Sequence, residues 1–156
     1  MGGPTEPIFL PFMYRLRVLE IYLDPHSTTM SDFGILYFVI RSLRVGLTSP
    51  AALEHLKFDI VFSNYYMHDT VDRDLFYDDL READIWSHLD TIITHPTGSQ
   101  LQRVEINIRS FYDEVGYTME PDNSGASKPV LDALPLLREK RILFVKVTCR
   151  RLGLDR

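Results

Sequence analysis

The chain contains a single cysteine, Cys149, in 156 residues. No disulfide can form within it, and a reducing cytoplasmic or nuclear address is expected. It has no apolar run near the roughly 18 residues that would read as a membrane-spanning helix. Its opening, MGGPTEPIFLPF, lacks the basic start and long apolar core of a signal peptide. Glu6 stands where a myristoylation motif needs Ser or Thr, so a lipid anchor is not expected. No Gly-rich turn follows any strand-like segment, which removes the usual cradle for a nucleotide phosphate. Paired cysteines, H-E-x-x-H and G-x-S-x-G are missing as well, so the chain does not read as an enzyme and no cofactor or metal is expected. The net charge of −5 argues against nucleic acid as a partner.

What the chain does have is one short pattern four times over: LRVLEIYL at 16–23, LEHLKFDI at 53–60, LQRVEINI at 101–108 and ILFVKVTC at 142–149. Each follows L-x-x-L-x-I-x-L with conservative replacements, and the starts lie 37, 48 and 41 residues apart. Alternation of this kind marks half-buried strands, and its return points to stacked β-α units.

Helical stretches fall between the segments. Residues 31–46 place Phe33, Leu36, Ile40 and Leu43 on one helical face, with Gly46 as a stop, while the β-branched and aromatic content of ILYFVI leaves a strand as the alternative. Residues 63–74, SNYYMHDTVDRD, read as a loop. Residues 80–96, LREADIWSHLDTIITHP, read as one helix with Ile85, Trp86, Leu89, Ile92 and Ile93 inward and Asp84, Ser87 and Asp90 opposite. A third helix, opened by Ser127 and Pro129, carries Val130, Leu131, Leu134 and Leu137, and Pro135 should bend or shorten it.

The order β-α-β-α-β-α-β implies parallel pairing. The expected fold is α/β: a short leucine-rich-repeat-like solenoid with one parallel sheet and helices on one face. A doubly wound sheet fits the same order, but it gives no reason for a repeated strand code. Strands stacked in sequence order would align Glu20, Lys57, Glu105 and Lys146 as a row of alternating charge. The core should centre on Leu56, Phe58, Ile60, Ile85, Leu89, Ile92, Val104, Ile106 and Ile108.

The charges are uneven, acidic from Asp69 to Asp84 and basic from Arg138 to Arg156. Solvated faces explain most such runs. Asp84 and His88 share a helix face, and His68 lies beside Asp69, Asp72 and Asp74. Neither set has a metal-site spacing, so an ion pair and a solvated loop are the simpler readings. Trp86 and Cys149 fall on core positions. Tyr22, Asp59, Asn107 and Arg109 should project from the free face of the sheet, with Tyr65 and Tyr66 beside the acidic loop. Tyrosine and arginine are the residue types most used as binding anchors.

At LEHLKFDIVF, IWSHLDTIIT, LQRVEINIRSF and LDALPLLREKRILFVKV the chain resembles the leucine-rich-repeat-like C-terminal region of F-box-type proteins of mushroom-forming (basidiomycete) fungi. The resemblance spans roughly 16–148. It implies a protein-protein interaction module for partner or substrate recognition. The repeats are longer than the usual length, and Asp24, Val61, Arg109 and Arg150 follow the four segments in place of an Asn ladder. No Leu-Pro F-box opening is present in this sequence, so a role with a ubiquitin-ligase adaptor would need an F-box upstream in a longer chain. The expected organisation is an extension over 1–15, the repeat domain over 16–149 and a basic tail over 150–156. The alternatives are a fragment of a parallel α/β enzyme and a truncated gene product without a selected function.

Overall fold

A computed structural model describes residues 16–24, 53–94, 100–112 and 123–151, without the side chains of 63–67. Four strands, β1 (Val18–Leu23), β2 (His55–Met67), β3 (Arg103–Tyr112) and β4 (Leu143–Arg151), form one parallel sheet in the order β1-β2-β3-β4. The four repeated segments thus stack side by side in sequence order. The expected helix over 31–46 lies outside the described residues.

Alternation decides which side of the sheet is buried. Leu56, Phe58, Ile60, Val104, Ile106 and Ile108 point inward and are almost fully buried. Neighbouring positions such as Lys57, Asp59, Glu105 and Asn107 remain partly exposed on the other side. Among the described residues four helices, α1 (Thr70–Glu82), α2 (Ile85–Ile93), α3 (Lys128–Ala133) and α4 (Pro135–Glu139), bury their apolar positions in the same core. Phe76, Leu80, Ile85, Trp86, Leu89, Ile93, Val130, Leu134 and Leu137 supply the helical side. Of the expected core centre, only Ile92 is less than buried, packing at the margin.

The stretch from 63 to 74 corrects the loop reading. β2 runs on to Met67, and α1 begins at Thr70. Asp69 caps that helix, its side chain accepting from the Asp72 backbone N–H at 2.9 Å, while His68 N–H donates to Asp72 at 2.9 Å. Reciprocal capping satisfies donors that helix geometry leaves open. Only Phe76 and Leu80 of α1 are buried, so its apolar stripe is too thin to stand out among the helix's five acids. The extended helix read over 80–96 is in fact two. Ala83 is extended at ψ 115°, which ends α1, and Trp86 Nε1 donates to the Leu80 carbonyl at 2.6 Å across the break.

Asp90 corrects a second reading. It is 3% exposed, not on the solvent side. Its carboxylate accepts from the backbone N–H groups of Leu136 at 2.9 Å and Leu137 at 2.8 Å. These donors open α4, so a carboxylate on one helix caps another 46 residues on. Pro135 divides the third helical stretch as expected, giving α3 and α4 on either side of Leu134. Leu131 is half-buried, and Ser127 makes no side-chain cap.

The register holds for three strands and shifts at the fourth. Glu20 faces Lys57 and Lys57 faces Glu105, but Glu105 faces Phe144, and Lys146 faces Asn107. β4 is therefore displaced by two residues from the alignment its repeat suggests. A displacement of two keeps every inward side chain inward, so hydrophobic alternation cannot distinguish the two registers. β4 also continues through Arg150 and Arg151, which the sequence reading had placed in a tail.

Candidate functional site

The outer face of the sheet carries two different surfaces. Toward the starts of the strands the charges are matched. Lys57 lies 3.6 Å from Glu20, His55 lies 3.7 Å from Glu105, and Arg103 pairs with Glu105. Arg103 also sits over the Phe144 ring, 4.1 Å from its centre. Lys57 and Arg103 thus each have a carboxylate beside them, and Arg103 an aromatic face as well.

Two residues further along, the surface becomes a depression of about 240 Å³ lined by Asp59, Asn107, Ile108, Arg109, Lys146, Thr148 and Arg150. Its walls hold three cations and one carboxylate. Arg109 donates to Asp59 at 3.2 Å, both side chains about one-third exposed. Among the described residues, no other partner engages Arg109, and the side chains of Asn107, Lys146 and Thr148 have none. Three strands thus bring amide, hydroxyl, ammonium and guanidinium groups to one place. Strand neighbours sit about 4.8 Å apart, close enough for a single ligand group to meet several of them.

Three of the six expected contact residues, Asp59, Asn107 and Arg109, line this depression together. Tyr22 is one strand further, opposite Asp59 in register and 62% exposed. Tyr65 and Tyr66 are corrected in place: they belong to β2, not to a loop, in the stretch where register against β3 slips between Val61 and Tyr66. Lys146, Thr148 and Arg150 are the lining residues that sequence reasoning missed. Alternation put Lys146 on the outer side and the domain reading left Arg150 to a tail; the shifted register of β4 sets Lys146 beside Asn107 and Thr148 beside Arg109.

The other candidates take structural places. Asp69 and Asp72 serve the α1 cap. Asp84 and His88 are exposed, and among the described residues no group of three or more His, Cys, Asp or Glu side chains is placed to hold a metal. Cys149 is buried, and burial pushes its thiol pKa above the usual range against the lowering influence of Ser110 and Arg73. A thiol so held is a poor nucleophile near neutral pH. Its backbone is clamped from outside: Cys149 N–H donates to Asn123 Oδ1 at 3.0 Å, and Asn123 Nδ2 donates to the Cys149 carbonyl at 3.4 Å. The side-chain amide stands in for a fifth strand at the sheet edge and meets hydrogen-bonding needs that β4 alone leaves open.

Among the described residues, no helix is long and apolar enough to cross a membrane. Comparison with known proteins returns no match among family models, curated proteins or solved structures.

Proposed function

We propose that the chain is a partner-recognition module: a leucine-rich-repeat-like stack whose outer sheet face binds another protein, as the resemblance to F-box-type repeat proteins implies. The observation that carries this reading is the depression on that face, where the side chains of Asn107, Lys146 and Thr148, without partners among the described residues, converge beside the Asp59–Arg109 pair. Strands stacked in sequence order support the repeat reading, because they let one ligand reach several units at once. Tyr22 and Arg109 are the anchors, and Asp59 and Asn107 set their surroundings. Binding, and not catalysis, is the activity proposed. The polar groups of the depression include no nucleophile paired with a general base.

The test is capture of partners from cell extract by the wild-type chain and by an Asp59, Asn107, Arg109 triple alanine variant. Loss of the captured proteins with the triple variant, at unchanged folding, is the expected result. Partners that survive it but disappear when exposed helix residues such as Asp79 and Glu82 are altered would place the binding face on the helices instead.

A further inference from the structure

Resting on the reading of the outer face as a docking surface, we propose that the depression receives an acidic side chain, an aspartate or glutamate carboxylate, from an extended segment of the protein partner. The charge balance selects the ligand. Arg109 spends one contact on Asp59, and a guanidinium has five N–H donors in a planar fork suited to a carboxylate. Lys146, opposite Asn107 on β4, makes no ion pair among the described residues. Asn107 and Thr148 complete the ring with an amide and a hydroxyl. Asp59 offsets part of the charge of Arg109, Lys146 and Arg150 and would repel a dianionic phosphate held against Arg109 more than a carboxylate, so the carboxylate is the ligand proposed and the phosphate its competitor in the test.

The same row specifies a second contact. Tyr22, Asp59, Asn107 and Lys146 lie side by side across the four strands. Three strand spacings of about 4.8 Å separate Tyr22 from Lys146, roughly 14 Å in all, which an extended peptide covers in about four residues. A segment crossing the strands with its acid over Arg109 and Lys146 therefore sets an apolar side chain on Tyr22. The partner motif is an apolar residue followed four positions later by Asp or Glu.

Isotope-labelled full chain is titrated with the synthetic peptide acetyl-Leu-Ser-Gly-Ser-Glu-Gly-amide, and backbone resonances are followed. Matched peptides carry Gln or phosphoserine in place of Glu. The Glu peptide is expected to shift the amides of Asn107, Arg109, Lys146 and Thr148 saturably and to bind about tenfold or more tightly than the Gln peptide, a ratio typical of an engaged charge pair. Lys146→Glu, checked for an unchanged denaturation midpoint, should lower affinity by about tenfold or more, and the milder Lys146→Gln by less. Equal binding of the Glu and Gln peptides, shifts confined to other surfaces, or tighter binding of the phosphoserine peptide would overturn the carboxylate site. If the triple alanine variant still loses captured partners in that event, the docking face stands and only its acid specificity falls. If partners survive the triple variant, the docking reading itself has failed.

Discussion

The two ends of the outer sheet face are built from the same strands, one pair of residues apart, yet behave as different materials. At one end Glu20, Lys57, Glu105 and Arg103 close their charges on each other, and Phe144 lies under Arg103. At the other, Arg109 and Lys146 outnumber Asp59 around a depression. The cause is the register of β4. In the alignment suggested by the repeat, Lys146 would stand beside Glu105 and extend the row of alternating charge. The two-residue shift puts Phe144 there and carries Lys146 to Asn107, where among the described residues its ammonium pairs with no carboxylate. A surface of closed ion pairs and one with an excess of cations can thus differ by a single step of strand pairing.

The largest expected effect comes from beneath this face, where both ends share one support. Leu89 is fully buried in α2 against the sheet. Leu89→Ala should cost about 2–5 kcal/mol in chemical denaturation. A loss below about half a kilocalorie, the scale of surface changes, would show that the helical layer does not hold the sheet. Asp90→Ala comes next, because it leaves the two N–H groups at the start of α4 without their charged acceptor. About 1.5–3 kcal/mol is expected by the same measurement. A cost no greater than that of an exposed-site control would break the interhelical cap.

Asn123→Ala tests what secures β4 beside its neighbour. Removing both hydrogen bonds to the Cys149 backbone should cost about 0.5–1.5 kcal/mol and speed amide exchange at Cys149 more than in β2. Uniform acceleration across the sheet would mean that Asn123 supports the whole fold and not the edge. The smallest effect belongs to the compensated end. Lys57→Gln opens a partly exposed pair and should change stability by less than about 1 kcal/mol. It should leave partner capture intact, whereas the triple variant of the depression should not. Equal loss of capture from both ends would erase the distinction between them.

Cys149 adds a dependence on pH. Its pKa is raised by burial above the ordinary value of 9.0, so the folded state holds its proton where the unfolded chain releases it. This group's contribution is constant below the unfolded pKa and becomes destabilising as pH rises above it toward the folded value. Thiol labelling should accordingly be slow in the folded protein near neutral pH and fast in denaturant. Rapid labelling of the native chain would contradict the burial of Cys149.

The recurrence of L-x-x-L-x-I-x-L determined the four strands, their inward faces and their stacking in order, because alternation and repetition are local properties of a chain. It also placed Tyr22, Asp59, Asn107 and Arg109 on the outer side. Helix α1 escaped notice because only Phe76 and Leu80 face inward, so tertiary burial rather than periodicity makes it a stable helix. Asp90 looked like a solvent residue because its partners, Leu136 and Leu137, arrive from a distant helix. The depression depended on tertiary structure for the same reason. Shifting β4 by two residues preserves its hydrophobic pattern while changing every cross-strand neighbour, so the meeting of Lys146 and Thr148 with Asp59 and Arg109 was decided only when the strands packed.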